Sequence, residues 1–283
     1  MNDVPNQTLL ATDEPSPVSI VNPGASSPFL FIGDHAGNAV PRRLGSLGLS
    51  AAELGRHIGW DIGIGTLGTL LAARMAATFI RQTYSRLVID CNRSATQPDA
   101  IAAISDGTPV PGNHGLTDGD RAARFAEIHE PYQAAINAEL IRRDATGIPT
   151  IIVALHSFTP AMRGEARPWH IGILHDRGNL RFAQAMLSVL RAEPDLIVGD
   201  NEPYRMDQID YTIPRHAYPL ARPYAEIEIR QDLLETPEHC ERWADRLGRI
   251  LSAARAAAER TADRPAARDV GTRDHRAVSS MTD

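Results

Sequence analysis

The feature that most constrains this chain is a set of short apolar runs that break off at polar, chemically capable residues. Pro28–Gly33 (PFLFIG) stops at Asp34-His35, Leu87–Asp90 (LVID) runs into Cys91-Asn92-Arg93, Thr150–Leu155 (TIIVAL) ends at His156, and Leu196–Gly199 (LIVG) precedes Asp200-Asn201. Each reads as a buried strand, with Phe79–Asp90 taken as one strand region. Trp169–Leu174 (WHIGIL) and Tyr224–Ile229 (YAEIEI) complete the set. Helical spacing lies between them: Ile64, Leu67, Leu70, Leu71 and Met75 within 61–77, and further helices over about 179–191 and 237–258. Thr117-x-x-Asp120 offers a capping signal for a helix to about Arg143, with a kink at Pro131. Strands alternating with helices predict an α/β chain with one mostly parallel or mixed central sheet covered by helices on both faces. In such sheets ligands bind beyond the carboxyl ends of the strands, so polar groups far apart in sequence converge on one crevice.

A chain of 283 residues, 43% hydrophobic, suits a single domain of this kind. Residues 1–27 are rich in Pro, Ser, Asn and Asp without periodicity and read as a disordered tail. Residues 259–283 read as a second tail, disordered or frayed, which leaves 28–258 for the domain. Net charge is -6, and every basic side chain is arginine. The absence of a basic run with interleaved aromatics argues against a nucleic-acid partner. Two cysteines, Cys91 and Cys240, are too few for a disulfide framework, and no signal peptide or membrane-length apolar run is evident, so the expectation is a cytoplasmic enzyme off the membrane.

His35 and His156 are the best candidate metal ligands, because neutral imidazole is the commonest protein ligand for zinc and both follow strands directly. A third ligand should be a carboxylate or another histidine. Asp34 and Asp61 are the nearest candidates, although Asp61 at a helix start also suits an ordinary cap. His170, His175 and His216 are left as outer groups. Alternation puts Glu226 and Glu228 on one side of a strand that otherwise reads as buried, where an unpaired carboxylate is costly. Either one suits a base for metal-activated water, against the alternative of an exposed edge strand. Arg93, beside Asn92, presents a planar fork for a substrate carboxylate, with Arg86 nearby; an ion pair with Asp90 or Asp99 is the competing use. Gly63-x-Gly65-x-x-Gly68 spells the dinucleotide fingerprint, but the residues before it are not strand-like and the glycines lie inside a helical pattern. No G-x-S-x-G elbow occurs.

An ordered series of motifs over about 29–234 resembles the N-formylglutamate amidohydrolase family: DHAGNAVP from Asp34, HIGWDIG from His57, SRLVIDCNR from Ser85, VPGN from Val110, ALHSFTP from Ala154, RPWHIGILHD from Arg167, GDNEPY from Gly199, DYTIPRHA from Asp210 and EIRQDL from Glu228. That family looks related to zinc carboxypeptidases and the aspartoacylase group, and the resemblance implies their phosphorylase/hydrolase-like fold. It implies a site in which His35 and His156 bind Zn2+, Asn92 and Arg93 hold the substrate carboxylate, and Glu228 rather than Glu226 is the base. The related enzymes carry H-x-x-E where this chain has His35-Ala-Gly-Asn38, so a different carboxylate must complete the site. The WD of HIGWD makes Asp61 the choice over Asp34 or Asn38. The implied reaction is hydrolysis of an N-acyl acidic amino acid, N-formyl-L-glutamate giving formate and L-glutamate in histidine breakdown. Two alternatives are an amidase or peptidase on another acylated substrate, and a catalytically inactive metal- or ligand-binding relative.

Overall fold

The computed structural model describes residues 8–207 and 209–262. Among the described residues, eleven strands occur in chain order: β1 (Val18–Val21), β2 (Phe29–Gly33), β3 (Thr78–Gln82), β4 (Ile104–Ser105), β5 (Thr108–Pro109), β6 (Ile151–Phe158), β7 (Ala161–Met162), β8 (Glu165–Ala166), β9 (Ile171–Leu174), β10 (Val198–Asp200) and β11 (Tyr224–Arg230). The helices are α1 (Ala51–Leu54), α2 (Ile64–Arg74), α3 (Asp118–Arg124), α4 (Glu130–Ala145), α5 (Arg181–Leu190), α6 (Thr212–His216) and α7 (Pro237–Ala262).

Seven strands form one sheet in the order β1-β3-β2-β6-β11-β9-β10, while β4/β5 and β7/β8 are separate small hairpins. The sheet is mixed: β3-β2-β6-β11 and β9-β10 pair in parallel, and β1-β3 and β11-β9 antiparallel. β6 is buried along its whole length, as expected for a central strand covered on both sides. Odd and even residues therefore feed two cores. Ile151, Val153 and Leu155 join Ile227, Ile229, Phe31 and the apolar faces of α2, α5 and α7 on one side. Ile152 and Ala154 join Leu30, Ile32, Tyr224, Ile136 and the buried loop residues Leu87, Val88 and Ile89 on the other.

Three expectations are corrected. The strand read over Phe79–Asp90 stops at Gln82, and Leu87–Asp90 instead lies in a turn region whose Val88 N–H donates to the Ser85 carbonyl. A short apolar run packed into a core looks alike in a turn and in a strand. The segment read as a tail through Ser27 contains β1 on the sheet edge, and the Leu9 and Leu10 N–H groups donate to the Glu127 carboxylate at 2.7 and 2.8 Å. Polar composition here reflects a surface wrap held by backbone bonds. At the other end α7 continues past Ala258 to Ala262, and residues 263–283 lie outside the described part.

The helix expected after Thr117 exists, with the Thr117–Asp120 capping box in place. It runs on without a break through a π-helical turn at Phe125–His129 into α4, and this wider turn directly precedes Pro131, whose ring and missing N–H an unbroken α-helix would not accommodate. The Gly63–Gly68 fingerprint opens no strand-helix turn. Gly63 caps α2 in a left-handed conformation, and a Cβ on Gly68 would come within 2.3 Å of the Phe79 ring, so these glycines serve close helix–sheet packing. No helix among the described residues is long and apolar enough to cross a membrane.

Candidate active site

The site begins with the pairing of β6 and β11. Their register sets Glu228 beside His156 and Glu226 beside Ala154. Because the strand runs on to Phe158, His156 lies inside it rather than after it, on the face shared with Ile152 and Ala154. β11 is an interior strand, flanked by β6 and β9, which rules out the exposed-edge reading of its two glutamates; both are buried. β2 lies on the other side of β6, with Ile32 beside Ala154, so Asp34 and His35 emerge at the same end. Asp61 comes from the loop before α2, and its N–H donates to the His35 carbonyl at 2.9 Å, which ties the two segments together.

These three side chains converge. Asp61 Oδ2 lies 2.8 Å from His156 Nδ1 and 3.5 Å from His35 Nδ1, and the two imidazole rings are 5.1 Å apart. One donor atom from each of His35, Asp61 and His156 falls within 4.8 Å of the others. The far nitrogen of each ring is backed by another carboxylate: His35 Nε2 is 2.7 Å from Asp90 Oδ1, and His156 Nε2 is 3.3 Å from Asp34 Oδ2. Asp34 is itself held by the Thr212 hydroxyl at 2.7 Å, and Asp90 by Arg86 at 2.6 Å. Two imidazoles and one carboxylate, with acid groups behind the imidazoles, make a buried donor set that could hold a metal ion. The buried His35 Nδ1 has no hydrogen-bond partner, as a nitrogen kept for a ligand would not.

Electrostatics follow from this packing. Burial alone would push the His156 imidazole down, but Asp34 and Asp61 hold it well above its ordinary range. Burial would raise Asp61, and the two imidazoles pull it below the usual carboxylate range instead. Burial pushes the Glu228 carboxyl up to about 7, with the Asp61 charge adding to it against the pull of His156 and Arg86. Burial likewise holds Glu226 well above the ordinary range. A carboxyl poised near neutrality suits proton transfer, and the buried Glu228 Oε2 has no partner.

The surrounding cavity measures about 640 Å³ and brings together His35, Asp61, His156, Glu228, Arg86, Asn92 and Arg93. The arginines are already engaged. Arg86 bridges Asp90 and, at 3.5 Å, Asp61. Arg93 Nε donates to Asp99 at 2.9 Å, and its Nη1 lies 3.9 Å from Asp210. Asn92 accepts the Tyr211 and Thr212 N–H groups, both at 2.9 Å, and donates to Asp210 at 3.2 Å, so it fixes the start of α6. Asn38 stays outside the cluster, donating to the Leu54 carbonyl at 2.8 Å. Cys91 is buried, and that burial pushes its thiol well up, which removes it as a nucleophile.

Sequence reasoning did not find the paired carboxylates behind the histidines, nor Asp210 and Tyr204 on the cavity wall. Asp210 and Tyr204 fall within the DYTIPRHA and GDNEPY segments, which was the only signal available. The clamp under the Arg86–Arg93 loop also went unseen. Arg124 donates to the carbonyls of Val88 (2.9 Å) and Gly112 (3.2 Å) and to Asn113 Oδ1 (2.7 Å), and Asn113 donates to the carbonyls of Leu87 and Ala102, both at 2.8 Å.

The N-formylglutamate amidohydrolase family model matches residues 27–235. A crystal structure of a gene product from Agrobacterium tumefaciens is similar at 34% identity and a TM-score of 0.86, covering 89% of this chain and 99% of that one. A crystal structure described as N-formylglutamate amidohydrolase from Ralstonia eutropha JMP134 shares the fold at 20% identity and a TM-score of 0.65, covering 87% and 98%. No curated protein sequence matches the chain.

Proposed function

This chain belongs to the N-formylglutamate amidohydrolase family, and from that premise we propose that it hydrolyses the amide of an N-acyl acidic amino acid, with N-formyl-L-glutamate giving formate and L-glutamate. Family membership makes it a hydrolase of amide bonds. The substrate, the zinc and the residue roles are our reading. The observation that carries it is the meeting of His35, Asp61 and His156 with Glu228 on the neighbouring strand, in register with His156.

His35, Asp61 and His156 would hold Zn2+, which when bound supplies Lewis-acid polarisation of the carbonyl and of the attacking water. Glu228 accepts the proton that water loses and delivers it to the leaving nitrogen, so one carboxyl acts as base and then acid. Asp90 and Asp34 keep the two imidazoles oriented. Arg93 and Arg86 supply the positive charge for the substrate carboxylate, and Asn92 holds Asp210 and α6 in place around them. Anchoring of that kind turns a chance encounter into a near-unimolecular step.

The deciding experiment measures metal content together with hydrolysis of a panel of N-acyl amino acids, with and without a chelator. About one zinc per chain and chelator-sensitive release of the free amino acid are expected. A protein that binds no zinc and turns over no member of the panel would overturn the reading.

A further inference from the structure

An N-formyl group uses little of the cavity described above. At about 640 Å³ it falls within the range of sites that enclose drug-sized ligands, roughly 300–1,000 Å³. Its lining mixes charged groups with a set of exposed apolar side chains. Seven large hydrophobic side chains are exposed among the described residues, and three of them, Ile104 (62%), Tyr204 (37%) and Ile209 (37%), line this one cavity. Met162 lines it as well. Exposed apolar residues scattered singly need no explanation, whereas a cluster around one cleft marks a surface that a ligand covers.

Ile104, Tyr204 and Met162 sit in segments tied to their neighbours. Ile104 sits on the β4/β5 hairpin, whose Asp106 pairs with Arg56 and His57, both at 3.3 Å, and whose Thr108 hydroxyl accepts from Arg56 at 2.8 Å. Tyr204 lies under the Arg167 guanidinium, 4.7 Å from its ring centre, and its hydroxyl accepts from Arg167 at 2.9 Å. Arg167 also reaches the Met162 sulfur at 2.8 Å, which links two of the rim residues through one side chain. A fixed apolar rim loses little conformational freedom when a ligand covers it.

An acidic amino acid carries a carboxylate on both of its arms, so the part of the substrate left to cover apolar surface is the acyl group. We propose that the acyl side of this site is built for an apolar acyl chain of several carbons, seated on Ile104, Met162, Tyr204 and Ile209, rather than for formyl alone. The inference rests on the amide-hydrolase reading above and names its substrate class more closely.

The test compares kcat/KM of the zinc-loaded full chain on N-formyl-, N-butyryl- and N-hexanoyl-L-glutamate, together with the Ile104→Ser variant. The expected result is a hexanoyl value above the formyl value by about tenfold or more, since even one methylene in an apolar pocket is worth about that much. In Ile104→Ser the hexanoyl-to-formyl ratio should fall severalfold. A formyl value equal to or above the hexanoyl value overturns the proposal and leaves the amide-hydrolase reading standing, as does a ratio that Ile104→Ser leaves unchanged. Failure to hydrolyse any of the three overturns the underlying reading instead.

Discussion

Glu228 and Glu226 are equivalent by strand alternation, and only the neighbouring strand separates them. Glu228 lies beside His156, Glu226 beside Ala154. Glu228→Gln is therefore expected to keep its zinc while losing about two to four orders of magnitude in kcat, the usual share of general-base catalysis. Metal analysis and initial rates on one preparation check both parts. With the carboxyl raised to about 7 by burial, the metal-free parent should take up a proton as pH falls through 7 that metal-free Glu228→Gln does not, read as a difference between their proton-titration curves. Curves that coincide around pH 7 would contradict that. Asp90→Asn keeps the size of the group behind His35 but removes its charge, and zinc affinity should drop by about 10–100-fold, read by competition with a chromogenic chelator. The two histidines were legible in the sequence because each stands at the end of an apolar run. Asp61 was not separable from an ordinary helix cap, because its role depends on a loop folding back against His35, and no local pattern encodes that contact.

Among the elements, the loop from Ser85 to Arg93 carries five cavity residues, Arg86, Leu87, Asp90, Asn92 and Arg93, without regular structure of its own. It is kept in shape from beneath by Arg124 and Asn113. Burial pushes the Arg124 guanidinium down to about 10. Arg124→Met should destabilise the fold by on the order of 3 kcal/mol, because buried carbonyls lose a charged donor; a denaturant midpoint unchanged from the parent would refute this. The π-helical turn above contributes too, since the His129 ring nitrogen lies 2.9 Å from the Arg93 carbonyl. Helices and central strands were readable because their periodicity is strong. This loop was misread as a strand because its apolar residues are buried for tertiary reasons, and the edge strand β1 was missed because edges need little apolar character.

At the scale of the whole molecule, two cores on either side of one sheet account for most buried residues, and the site opens on the side of α4 and α6. His216 of α6 is buried there, its Nε2 2.7 Å from Gln133 Oε1. Burial, with the Arg215 charge, pushes its imidazole down to about 4. Between that value and the ordinary 6.5, the unfolded chain carries a proton that the folded chain refuses. Stability is then fully present above pH 6.5 and lost as pH falls towards 4, by roughly 2 kcal/mol at pH 5. Urea midpoints at pH 7 and pH 5 should converge by that amount in His216→Asn relative to the parent chain; identical pH slopes would count against it. The fold class was legible from alternation alone, whereas the two antiparallel pairings were not, since strand direction depends on connections rather than composition.

The spacing between His156 and Glu228 is set by two adjacent strands in fixed register, and so by main-chain hydrogen bonds that no single side-chain exchange redraws. Ile104, Tyr204 and Ile209, by contrast, sit on a hairpin and a loop outside the sheet. On the proposed roles, descendants of this chain can therefore change what they accept by editing those surface segments one residue at a time, while the separation of the proposed metal ligand and base is inherited as a constant of the backbone. A one-residue slip of β11 would turn Glu228 into an apolar core and lose fold and chemistry together. Selection for folding thus guards the catalytic spacing without acting on it directly.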